Sequence, residues 1–145
     1  MRRMARVEGS IIINAPVEKI FAYLDDPVNG MDFIPSITDI RNITGQGVGQ
    51  KWGWTYKMMG LPLKGEAEVT EYIRNKRCVV KTTGGILSTW ALTFKTKSRR
   101  TRLNLVVEYS IPVPVFGKLS ERLVLRLNQR EAEFAIANLK ARLEG

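Results

Sequence analysis

Between Val7 and Pro27 the apolar residues change period once and abruptly, and few folds can follow such a change. Val7, Gly9, Ile11 and Ile13 alternate with Glu8, Ser10 and Asn14, with Ile12 the one apolar exception, as a strand with one buried face requires. From Pro16 onward the apolar positions become Val17, Ile20, Phe21 and Leu24, the stripe of a short amphipathic helix. Pro16 suits a first helical turn, where its missing N–H costs nothing, and Glu18 lies near the positive end of the dipole. Pro27, after Asp25-Asp26, ends the helix. An edge strand that passes straight into a helix is an uncommon opening for a β-rich domain.

Beyond this block the chain is mostly strand. Val28 to Pro35 has room for one or two helical turns, and Ile37 to Ile43 reads as a strand closed by the glycines of Gly45 to Gly49. Lys51 to Met58 places Trp52, Trp54, Tyr56 and Met58 on one face. After a turn at Met59 to Pro62, Leu63 to Tyr72 sets Leu63, Gly65, Ala67 and Val69 opposite charged neighbours. Strands are then expected over Arg77 to Thr83, Ser88 to Thr96, with Trp90, Leu92 and Phe94 together, and Arg102 to Ile111. Connections this short imply an antiparallel meander. A long helical pattern from Phe116 to Leu143 would span about 42 Å. Phe116, Leu119, Leu123, Leu127, Phe134, Ala137 and Ala141 fall in one arc of it, which is expected to cover the sheet.

Composition narrows the chemistry. The 145 residues suit one domain, residues 1–145, and 44% hydrophobic content suits a folded core. No apolar run reaches the ~20 residues of a membrane helix, so a cytoplasmic protein is expected. Cys78 is the single cysteine and there is no histidine. That removes internal disulfides, His-dependent nucleophilic catalysis and imidazole metal sites, and no cofactor or metal is expected. Lys and Arg number 23 against 14 Asp and Glu, a charge of +9. Lys118, Arg122, Arg126 and Arg130 form a slanting basic ridge that, with Lys95 to Arg102, suits anionic headgroups or an acidic partner, or is a solvated helix edge. These segments lack the interleaved aromatics that stack nucleic-acid bases, which argues against that partner.

One strand, two short helices, six strands and a long helix resemble the helix-grip fold of the START-like superfamily, over essentially the whole chain. The expected architecture is α+β, with a curved seven-stranded antiparallel sheet wrapped around the C-terminal helix. Within the superfamily, three segments resemble the CoxG family associated with carbon monoxide dehydrogenase: Glu8-Gly9 through Ala15–Ile20 to Asp26-Pro27, Ile34-Pro35-Ser36, and Gly60–Ala67. Phe33-Ile34-Pro35 is similar to the coenzyme-Q-binding and polyketide-cyclase-like branch. The resemblance implies a deep cavity between sheet and helix that holds a hydrophobic small molecule such as a lipid, quinone or polyketide.

The residues read the same way independently, because aromatic faces with a few polar groups line apolar ligand sites, although they also pack solid cores. The expected wall comprises Trp52, Trp54, Tyr56, Met58 and Leu63, with Gly65 and Ala67 leaving volume, then Val80, Trp90, Leu92, Phe94 and Tyr109. Phe33 and Phe116 would close it, and Leu119, Leu123 and Leu127 would roof it. Apolar turns at Gly60-Leu61-Pro62, Gly84–Leu87 and Ile111–Phe116 suit a mouth or a membrane contact. Tyr56 and Tyr109 are the candidate donors to a ligand oxygen, and Cys78 reads as a small core residue. Leu125, Ala132, Ile136, Leu139 and Leu143 form a second apolar line on the helix, expected to meet a second copy or a protein partner. Three functions stay open: a carrier of a hydrophobic ligand, for instance one serving a membrane-linked oxidoreductase; a cyclase or dehydratase; and an adaptor. Catalysis needs a positioned acid and base, and Glu71, Asp39 and Arg41 make no evident pair.

Overall fold

The computed structural model describes residues 5–58, 60–110 and 121–144, with side chains in the last helix from 125 onward. Strand β1 (Ala5–Ile13) leads into α1 (Val17–Leu24), a single 3₁₀ turn (Pro27–Asn29) and α2 (Gly30–Phe33). Strands β2 (Ile37–Thr44), β3 (Lys51–Met58), β4 (Leu61–Ile73), β5 (Arg77–Gly84), β6 (Leu87–Lys97) and β7 (Arg100–Ser110) come next, then α3 (Glu121–Glu144). The sheet is antiparallel throughout, in the order β1-β7-β6-β5-β4-β3-β2, so β1 is an edge strand joined to the opposite end of the meander. This is the expected α+β helix-grip architecture. Val7 and Ile13 are buried and Ile12 is 46% exposed, as the alternation in β1 requires. Val17, Ile20 and Phe21 bury the inner face of α1, where the Phe21 ring packs edge-on against Phe94 and Tyr72.

The long helix presents the opposite face from the one expected. Ala132, Ala135, Ile136, Leu139 and Leu143 are all buried, whereas Leu127 is 39% and Phe134 53% exposed. Ala137 and Ala141 are exposed as well. The line expected to meet a partner is therefore the intramolecular one, apart from the exposed Leu125, and no dimer can be built on it. The reason is steric. A Cβ at Gly9 would lie 2.9 Å from Cδ1 of Ile136, so β1 and α3 approach where the strand lacks a side chain, and the helix offers alanines beside that contact.

The same helix protects the open edge of β1. The Gln129 carboxamide accepts from the Glu8 N–H at 3.3 Å and donates to the Glu8 carbonyl at 2.8 Å, as a neighbouring strand would. Lys140 Nζ donates to the Ile12 carbonyl (2.8 Å), and the Asn14 N–H donates to Glu144 Oε2 (2.8 Å). Burial of its flanks and satisfaction of this edge fix α3 across the sheet.

Candidate ligand-binding cavity

The space between the sheet and α3 is not filled by side chains. A cavity of about 180 Å³ lies among β2–β7, the α2 segment and α3. A second lobe of about 100 Å³ extends beneath α1. Leu24, Phe33, Trp52 and Trp90 line both lobes, which are therefore neighbours across these side chains.

The strand residues expected on the wall are brought together here. Trp52, Trp54, Tyr56 and Met58 of β3, Ala67 of β4, Val80 of β5, Trp90 of β6, Tyr109 of β7 and Phe33 line the larger lobe. Leu92 and Phe94 line the smaller one. Leu63 is buried in the core without lining either lobe. Gly65 does not leave volume for a ligand: a Cβ there would meet Cζ2 of Trp54 at 2.5 Å and the Thr83 carbonyl oxygen at 2.0 Å. Its missing side chain seats the indole. Leu127, expected in the roof, is exposed on the far side of α3. Phe116 and Leu119, the Ile111–Phe116 turn and Lys118 lie outside the described residues, as do the side chains of Arg122 and Leu123.

The apolar pattern of the sequence does not reveal the residues that α3 and β2 supply. Asn128, Glu131 and Ala132 line the larger lobe from the helix, with Ile34, Ile37 and Ile40 from the segment around β2. Asn128 and Glu131 interrupt that pattern, and only the position of Gly9 opposite the alanine-bearing face signals that this side turns inward. Glu131 Oε1 accepts from the Ser36 N–H at 2.8 Å, tying α3 to the start of β2. Asn128 Nδ2 donates to the Tyr109 hydroxyl oxygen at 2.9 Å. Burial raises the Tyr56 hydroxyl above its ordinary range, the Glu131 charge adds to this, and a hydrogen bond with Ser36 opposes it. Burial also raises Tyr109, against the pull of Asn128. Both phenols hold their protons at neutral pH.

Two further polar arrangements complete the walls. Thr82 Oγ1 donates to the Ile86 carbonyl at 2.9 Å and shares a hydrogen bond with the Ser88 hydroxyl, so these two hydroxyls satisfy one another and the loop. At the smaller lobe, Tyr72 donates to Asp25 Oδ1 at 2.7 Å. Burial first, then that hydrogen bond, pushes the Tyr72 hydroxyl up to about 12. Cys78 lines the same lobe, and burial pushes its thiol up to about 11, so it is no nucleophile. Among the described residues no group of His, Cys, Asp and Glu could hold a metal ion. Asp39 and Arg41 pair with each other (2.8 Å) and Arg77 with Glu71 (3.2 Å), and none of the four lines the cavity.

An antiparallel sheet gripping a long helix over an internal apolar cavity defines the START-like class. The chain belongs to the family described as polyketide cyclase / dehydrase and lipid transport, whose pattern matches residues 4–144. No protein of curated function matches it in sequence. Among solved structures, TTHA0849 of Thermus thermophilus is 21% identical with a TM-score of 0.83, covering 96% of this chain and 97% of that one. The Zhui aromatase/cyclase of Streptomyces sp. R1128 is 15% identical with a TM-score of 0.78, covering 98% and 94%. A START superfamily protein of Mycobacterium smegmatis is 14% identical with a TM-score of 0.77, covering 96% and 97%. At these identities the likeness is one of fold. The resemblance to the CoxG family rests on the three sequence segments alone, and these comparisons do not show it.

Proposed function

We propose that the chain binds a hydrophobic small molecule between its sheet and α3 and acts as a carrier rather than a catalyst. The observation that carries this reading is the two-lobed cavity, whose walls are aromatic and aliphatic apart from a few placed polar groups. The CoxG-like segments direct the same proposal toward a lipid or quinone serving a membrane-linked oxidoreductase. Among the described residues no helix is long and apolar enough to cross a membrane. Native mass spectrometry of the purified chain tests the proposal. A co-purifying hydrophobe is expected on the wild type and is lost in Ala67→Phe, which fills the larger lobe from the middle of β4. A wild-type chain that retains nothing and takes up no apolar probe refutes it.

One observation favours the cyclase or dehydratase reading, namely Glu131 on the same wall as two protonated phenols. Glu131 is, however, engaged with the Ser36 backbone. Turnover of a polyketide-like substrate that falls at least about a hundredfold in Glu131→Gln, with binding intact, would establish that reading instead.

A further inference from the structure

The described walls of this basic protein's cavity are acidic and neutral. Among the described residues neither lobe includes a lysine or arginine, although the chain carries a charge of +9. Three carboxylates stand there instead: Asp26 and Glu131 at the larger lobe and Asp25 at the smaller. Each already holds a donor, from the Val28 N–H, the Ser36 N–H and the Tyr72 hydroxyl respectively.

Among the described residues, the one buried wall side chain left without a hydrogen-bond partner is a donor. Trp54 is 4% exposed, and its indole N–H has no acceptor among the described residues. The Tyr109 oxygen accepts from Asn128, and its own O–H proton has no acceptor among the described residues, whereas the Tyr56 hydroxyl is engaged with Ser36. Thr82 and Ser88, by contrast, are spent on each other and on the Ile86 carbonyl. A buried donor left unpaired is costly, and an acceptor oxygen on a guest removes that cost.

We propose that the cavity selects neutral apolar molecules bearing an acceptor oxygen of the ketone or quinone kind, satisfied by Trp54 and Tyr109, over carboxylates and phosphates. The inference rests on the reading of the cavity as a binding site. An anionic head would be desolvated beside carboxylates with no cation among the described lining residues to meet it, whereas a carbonyl needs only donors.

Quenching of the wall tryptophans by fluorene, fluorenone, aminofluorene and fluorene carboxylate tests it with four guests on one ring system. Fluorenone is expected to bind about tenfold tighter than fluorene, the worth of one good hydrogen bond, and the carboxylate more weakly than either. Trp54→Phe and Tyr109→Phe should each shrink the ratio of fluorenone to fluorene affinity measured on the same variant. Equal affinity for fluorene and fluorenone overturns the proposal while leaving the cavity a binding site. Tightest binding by the carboxylate, or by aminofluorene, overturns it as well. Failure of all four to bind overturns the binding reading along with it.

Discussion

Gly65→Ala is the smallest change that tests how the cavity wall is built. Gly65 and Gly84 are cross-strand partners in β4 and β5. An added Cβ would lie 2.0 Å from the Thr83 carbonyl oxygen, where 3.0 Å is the closest that real Cβ atoms approach. One methyl therefore demands a separation of about 1 Å between two hydrogen-bonded strands, and neither neighbour is a flexible side-chain end. The other collision, at 2.5 Å, is with the Trp54 ring, itself 4% exposed. Overpacking of this kind costs about 3 kcal/mol. In a domain of this size that lowers Tm by about 6–12 °C. Thermal unfolding followed by circular dichroism reads the loss, and tryptophan emission reports the displaced indole. Gly30→Ala is the control, because nothing lies within 4 Å of its added Cβ and its φ of −57° is helical. A Gly65→Ala protein melting within about 2 °C of the wild type would refute the claim that this glycine seats Trp54.

The orientation of α3 is tested by Leu139→Ala and Phe134→Ala. The first should lose about 2–5 kcal/mol in urea unfolding, because Leu139 is 1% exposed, and the second no more than about 0.5 kcal/mol. Gln129→Ala should cost about 1–2 kcal/mol and speed hydrogen exchange at the Glu8 amide, since both edge hydrogen bonds of Glu8 end on that side chain. Cys78, its thiol pushed up to about 11, should react with a disulfide reagent at pH 8 far more slowly than a free cysteine, with a thiolate fraction of only about 0.1%. Glu144 is held below the ordinary glutamate range by the Asn14 N–H and then by Lys140. Its contribution is present above the unfolded-state value and is lost as pH falls through the depressed one. Protection of the Asn14 amide relative to its intrinsic exchange rate should accordingly fall in the wild type as pH drops through the depressed value, and Glu144→Gln should flatten that dependence.

The strands were legible because a period of two survives wherever one face meets the core. Their ends were less so. Leu61 and Pro62 look like a turn, yet they open β4, paired with Met58 and Lys57. Proline is tolerated there because β5 does not reach it: pairing of β4 with β5 starts only at Gly65, so its missing N–H breaks no ladder on that side. The aromatic wall was legible for the same reason as the strands. The helical contribution was not, because α3 carries two apolar arcs and the bulkier residues lie on the exposed one. Bulk was the wrong guide. What decides the contact is the gap at Gly9, a property of the strand opposite and not of the helix.

That orientation also explains why a cavity exists. Had Leu127 and Phe134 faced the sheet, a leucine and an aromatic ring would stand where small residues now face Trp52 and Trp90. Instead Ala132 roofs the larger lobe and Ala135 the smaller, and each leaves unfilled the volume that a longer side chain would occupy. The helix closes against β1 at Ile136 while standing off the aromatic strands through its alanines. The same face delivers Asn128 and Glu131 as the polar groups of the roof. Ala132→Leu therefore separates stability from capacity. It should leave the fold intact, because the added side chain enters empty space, and it should abolish uptake of fluorenone. A protein that binds as before would show that the guest does not lie beneath α3.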